Sequence, residues 1–139
     1  MTADAMLDAN VLVYAASTMR AEAAKAEAAA RLLKTGTVGI SGQVVQEFFV
    51  TVTKKGQVPL WAADALEWID LFDELPCIPV DVDLVRAGAD IARRYQISYW
   101  DGAVLAAAHR LKASILYTED LNHDQTYGSV RVMNPFRAN

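Results

Sequence analysis

Ala5-Met6-Leu7-Asp8-Ala9-Asn10-Val11-Leu12 sets one carboxylate inside an otherwise apolar run. Ala5–Asp8 has the character of a short buried strand, and Asn10–Ala16 reads as a short helix or turn behind it. A strand that hands over to a helix through an acid is the start of an α/β fold. Working outward, Ala21–Lys34 is an Ala-rich helix with Ala26, Ala29, Ala30 and Leu33 as its stripe and Gly36 as its stop. Val38–Ile40 reads as a second strand. Ser41 is placed to cap a helix whose apolar face is Val44, Val45, Phe48, Phe49 and Val52, closed by Gly56. Pro59 is suited to open the next helix, with Leu60, Ala63, Leu66, Ile69 and Phe72 inward. Cys77–Val80 reads as a third strand. Asp81 can cap a helix through Tyr95, with Leu84, Val85, Gly88, Ala89 and Ala92 inward. Ser98 starts a helix with Val104, Ala107, Ala108 and Leu111 inward, and Ile115–Tyr117 and Val130–Met133 read as the last strands. Strands alternating with helices predict a three-layer α/β/α sandwich around a mostly parallel sheet of about five strands.

The chain has 139 residues, 53% of them hydrophobic, which suits one domain over residues 1–139 with a substantial core. No uncharged apolar run is long enough to span a membrane. The N-terminus lacks a basic leader region and Asp8 interrupts its apolar stretch, so it reads as a mature first strand. Cys77 is the single cysteine; it excludes an internal disulfide or a thiolate zinc cluster, reads as a small core residue and suits the cytoplasm. The net charge of −4 argues against a general nucleic-acid coat protein, because phosphate contacts need cations. It leaves room for an enzyme that grips one phosphate. Lys54-Lys55, Arg93-Arg94 and Arg110 with Lys112 are local basic pairs, and solvated helix ends explain them without further function.

Four acids, Asp8, Glu47, Asp101 and Asp120, fall where strands pass into helices or in early helical turns. In open α/β sheets, sites form beyond the carboxyl ends of the strands, so one cleft can collect all four. Two unit charges ~4 Å apart repel by roughly 4 kcal/mol at an effective dielectric of about 20. A divalent cation is the simplest relief. Each acid also has a plainer reading. Asp8 suits a helix cap. Glu47 borders an apolar helix face. Ser98 and Asp101 resemble a capping box. Glu119 competes with Asp120 for the inward position, with Asp124 a weaker candidate. Asn10 either caps the short helix or holds Asp8 or a metal-bound water. His109 and His123 read as surface residues, with no His-x-x-x-His or Ser-His-Asp pattern around them.

Five motifs carry a family resemblance. They are Leu7-Asp8-Ala9-Asn10-Val11-Leu12-Val13-Tyr14, Ser41 to Phe49, Ser98-Tyr99-Trp100-Asp101-Gly102-Ala103, Thr118-Glu119-Asp120-Leu121 and Asn134-Pro135-Phe136. Each is weak alone, but five in order over nearly the whole chain resemble a PIN-domain protein of the VapC type, the ribonuclease toxin of type II toxin–antitoxin pairs. The resemblance implies a PIN-like fold, Mg²⁺ or Mn²⁺ dependence and hydrolysis of RNA phosphodiester bonds. Asp8 and Asp101 match the family's principal metal-binding aspartates, and Glu47 and Asp120 its other two acids. The resemblance further implies a homodimer and a small antitoxin partner. Ala9 departs from the family pattern, which often has Thr or Ser there; Thr118 is kept.

Two rival classes meet specific objections. A haloacid-dehalogenase-like phosphatase needs Asp-x-Asp after its first strand, and here the second position is Asn10. A receiver domain needs an acidic pair near the first strand and a lysine after the last. A catalytically weak or inactive PIN-like module, acting by protein or RNA binding, is the alternative that Ala9 keeps open.

Overall fold

In the computed structural model, which describes residues 1–35, 37–54 and 59–137, the sheet is built outward from the segment that opens the chain. The strands are β1 (Ala5–Leu7), β2 (Val38–Ser41), β3 (Cys77–Ile78), β4 (Ile115–Tyr117), β5 (Thr126–Tyr127) and β6 (Val130–Met133). Their order is β3-β2-β1-β4-β6-β5, parallel except for the β5–β6 hairpin at the edge. The helices are α1 (Ala9–Ala15), α2 (Ala23–Lys34), α3 (Gly42–Val52), α4 (Ala62–Phe72), α5 (Val82–Tyr95) and α6 (Tyr99–Arg110), with a 3₁₀ turn at Arg20–Glu22. α1 packs on α2 and α3, and α3 on α4; α5 packs on α6, which lies against β2, β4 and β6. Right-handed crossovers from β1 to β3 and back to β4 put these two groups on opposite faces. The expected three-layer α/β/α fold is therefore present, with a sixth strand added.

β1 lies at the centre, with β2 on one side and β4 on the other. The chain first adds strands on the β2 side and then returns to the β4 side. The crevice beyond β1 and β4 is thus a topological switch point, where open α/β sheets place their sites. Met6, Leu7, Val11, Leu12, Ile40, Leu105 and Leu116 are fully buried around it.

Local readings differ from the structure in instructive places. β5 was not expected. Gly128, at φ 62°, turns Tyr127 into Val130, and a Gly-Ser pair between apolar residues is a hairpin signal. The third strand stops at Ile78, short of Val80. α4 begins at Ala62 rather than near Pro59, and its inward face is Ala65, Trp68, Ile69 and Phe72; Ala63 and Leu66 are exposed. The inward face of α5 is Leu84, Gly88, Ile91 and Tyr95, with Val85 and Ala89 exposed. Periodicity located both helices but mis-set their rotation, because alanine and valine occur on both faces. α5 ends on Gln96 in the left-handed region at φ 56°, a role usually taken by glycine. The expected stops at Gly36 and Gly56, and Lys55 of one basic pair, lie outside the described residues.

α5 and α6 approach closely because neither Gly88 nor Gly102 has a side chain. A Cβ on Gly88 would sit 2.8 Å from Ala103 Cα, and one on Gly102 would sit 2.9 Å from Ala92 N. Gly102 follows Asp101 directly, so this contact fixes the end of α6 that carries the acid.

Candidate active site

Asp8 ends β1 and caps α1. Its backbone N–H continues the ladder to Tyr117 O at 3.0 Å, and Oδ1 accepts from Ala9 N at 2.7 Å. Oδ2 accepts from the Thr118 hydroxyl at 2.7 Å. Asp8 is only 5% exposed, and this burial pushes its carboxyl up to about 6 despite the two bonds that lower it. The negative fields of Asp120 and Glu47 push the same way. The cap reading and the cleft reading of Asp8 are therefore compatible.

Thr118 is the buried junction of the site. Its hydroxyl donates to Asp8 and accepts from Asn10 Nδ2 at 3.2 Å and from Asp120 N at 3.1 Å. Because its one proton goes to Asp8, Asn10 must present its NH₂ to Thr118. Asn10 Oδ1 is then a buried acceptor without a partner among the described residues. An orphaned lone pair beside a buried carboxylate is where a bound water belongs.

Two of the other acids stand on the helical side. Asp101 lies in the first turn of α6, whose cap Ser98 accepts from Asp101 N at 3.1 Å. Partial burial raises its carboxyl, the Ser98 contact opposes this, and Asp120 adds to the rise. Glu47 lies half-buried on α3. Gln43, one turn earlier and 7% exposed, donates through Nε2 to Glu47 Oε1 at 2.8 Å and to Trp100 O at 3.3 Å. Sequence reading passed over Gln43; its i, i+4 spacing to Glu47 was the available signal.

Glu119 and Asp120 take different directions. Glu119 accepts from the Tyr14 hydroxyl at 3.1 Å and pairs with Lys25 at 3.5 Å. The Tyr14 contact, together with Glu119, raises Lys25. Lys25 also lies 4.6 Å over the Tyr14 ring, and Phe136 of the terminal motif packs edge-on to that ring at 4.7 Å. Glu119 is thus held at the outer wall, while the field of exposed Asp120 reaches both Asp8 and Asp101. Asp124 lies elsewhere, paired with Arg131. His123 is half-buried rather than on the surface, and its Nδ1 accepts from Asn134 N at 2.9 Å. His109, also half-buried, meets Ser129. Trp100 is 63% exposed.

Among the described residues, no three acid, histidine or cysteine groups stand close enough to enclose an ion. The acids share a field without being collapsed on one point, as mutual repulsion requires. Mg²⁺ takes oxygen ligands, keeps several waters and is commonly held by one or two carboxylates. An all-oxygen donor set, a carboxyl raised by burial and the unpaired Asn10 Oδ1 fit such a hydrated cation.

The PIN domain matches this chain over residues 5–129. Its fold is similar to that of a protein in a toxin–antitoxin complex from Klebsiella pneumoniae, with a TM-score of 0.69 at 18% identity, covering 96% of this chain and 99% of that one. It is also similar to VapC20 of Mycobacterium tuberculosis, a sarcin–ricin-loop-cleaving toxin, with a TM-score of 0.65 at 20% identity, covering 84% and 89%. A chain of FitAcB from Neisseria gonorrhoeae gives a TM-score of 0.64 at 21% identity, covering 96% and 99%. No functionally curated protein matches the sequence. At these identities the structural likeness carries the fold alone.

Proposed function

This chain belongs to the PIN-domain family, and on that footing we propose that it is a divalent-metal-dependent endoribonuclease, the toxin of a toxin–antitoxin pair. PIN domains are typically nucleases. The observation that carries the reading is a carboxylate, Asp8, buried at the end of β1 with both oxygens bonded, which burial and the negative fields of Glu47 and Asp120 raise. Perturbed carboxylates gathered in one cleft are a recognised sign of a working site.

In this reading Asp8 and Asp101 hold Mg²⁺ or Mn²⁺, with Glu47 and Asp120 completing the set. When bound there, such an ion would supply Lewis acidity to a phosphate oxygen and to a nearby water. Thr118 and the Ala9 N–H fix both oxygens of Asp8. Because Thr118 supplies the buried hydroxyl bond to Asp8, Ala9 does not leave that carboxylate unsupported. Asn10 Oδ1 accepts from an ordered water. Glu47 or Asp120 orients the attacking water, and no covalent nucleophile is required.

RNA recognition follows from shape and a few side chains. Lys25, Arg31, Arg86, Arg93, Arg110 and Arg131 each pair with a carboxylate, which argues against a broad basic track. Arg94 lies over the Tyr95 ring. Exposed Trp100, next to Asp101, offers a face on which an unpaired base can stack.

Toxin–antitoxin complexes among its structural neighbours support an antitoxin partner. A groove of about 400 Å³ lined by Ala15, Ala16, Leu60, Trp68 and Leu71 together with Asp64 and Glu67 suits an amphipathic segment that also carries basic residues. Exposed Val80, Val82 and Val85 around the start of α5 support self-association as a homodimer. No helix among the described residues is long and apolar enough to cross a membrane, and a cytoplasmic place is part of the proposal. Incubation with structured RNA tests the function: wild type cleaves with Mg²⁺ and not with EDTA. Equal cleavage by wild type and Asp8→Asn would overturn it.

A further inference from the structure

Gln43 joins two elements that carry separate acids. It lies in the first turn of α3, 7% exposed, and its Nε2 reaches both Glu47 Oε1 and Trp100 O. A side-chain amide has two protons to donate, and these two acceptors take both. Trp100 directly precedes Asp101 in the first turn of α6. The side chain therefore ties the Glu47 carboxylate to the backbone that carries Asp101.

The physical need for such a tie is plain. Glu47 is half-buried, on a flexible stem, and its charge opposes that of Asp8. Left alone, it gains entropy and loses repulsion by swinging toward solvent. Methionine in place of Gln43 would fill a similar volume without an amide to satisfy. Burying that amide is useful only if its two bonds hold something in place. We propose that Gln43 is a positioning residue that keeps Glu47 turned into the cleft at a fixed distance from the start of α6. The proposal rests on reading the four acids as one cation site.

A double-mutant cycle separates the tie from general packing. Mn²⁺ affinity, read by the loss of the free-ion paramagnetic resonance signal, and RNA cleavage are measured for wild type, Gln43→Met, Glu47→Gln and the double variant. Gln43→Met weakens Mn²⁺ binding by roughly 10-fold when Glu47 is present, the size expected for groups that orient a ligand. In the Glu47→Gln background it changes affinity by less than about 2-fold. Gln43→Leu, which also lacks an amide and adds no charge, gives the same pattern should the methionine variant fold poorly. Equal losses in both backgrounds, or no loss beside Glu47, overturn the proposal. A wild-type protein that binds no Mn²⁺ overturns the cation site itself, and with it the proposed function.

Discussion

The sheet side and the helix side of the acidic cleft are built differently. On the sheet side, Asp8 is 5% exposed, both its oxygens are bonded, and fully buried Thr118 holds it in place. On the helix side, Asp101 is half-buried at a helix start and Glu47 hangs from an amide on its own helix, while Asp120 stands exposed in the loop beyond β4. The sheet side stores a desolvated charge in a rigid frame. The helix side supplies acids that water still screens. The fold thus sets one carboxylate under electrostatic stress and leaves its companions adjustable, which suits a site completed by a cation.

Breaking the sheet side is expected to give the largest effect. Asp8→Asn lowers Mg²⁺-dependent cleavage by at least about 100-fold. Without metal, the same variant removes the pH dependence that Asp8 gives to stability. The sign follows from the raised carboxyl: a group that titrates at 3.8 when unfolded and about 6 when folded favours the folded state below pH 3.8 and loses that contribution as pH rises through 6. The full cost is about 3 kcal/mol, an upper value for one group. Thermal melts of metal-free protein from pH 4 to 7 check it, since the wild-type decline should flatten in Asp8→Asn. Asp101→Asn, on the half-exposed side, should leave most of that decline in place.

Thr118→Val comes next. It keeps the shape but removes the hydroxyl that serves Asp8, Asn10 and the Asp120 amide. Denaturant unfolding should show a loss of about 2 kcal/mol, and cleavage should fall roughly 10- to 100-fold. Gly102→Ala tests the frame of the helix side. Its methyl group would press on the α5 backbone, so a loss of about 1–3 kcal/mol is expected, with cleavage reduced through displacement of Asp101. Glu119→Gln is the smallest perturbation. Its partly exposed pair with Lys25 contributes under about 1 kcal/mol, and cleavage should stay near wild type while Asp120→Asn impairs it. Equal impairment by the two variants would erase the division between wall and cleft.

The sequence made the architecture legible where polar and apolar residues had distinct duties. Asp8, Ser41, Asp81 and Ser98 all cap helices as their positions imply. It was least legible on α4 and α5, where exposed Leu66, Leu71, Val82 and Val85 blur the apolar stripe. Single-chain periodicity does not separate such exposed apolar side chains from core. The acids were visible as expensive residues in apolar settings. Their supports were not, because Thr118 and Gln43 reach Asp8 and Trp100 across 110 and 57 positions of chain. The distinction between Glu119 and Asp120 likewise depended on Lys25 and Tyr14, which lie in distant helices.

In the proposed function, buried and proton-affine Asp8 is a cation ligand. Calorimetric titration of Mn²⁺ at pH 6, in two buffers of different ionisation enthalpy, tests it most directly. Metal must displace the proton that Asp8 shares at that pH, so proton release on Mn²⁺ binding is expected at pH 6, and is expected to shrink toward pH 8 and to be smaller in Asp8→Asn. Mn²⁺ binding without proton release at pH 6, or with equal release in Asp8→Asn, would contradict it.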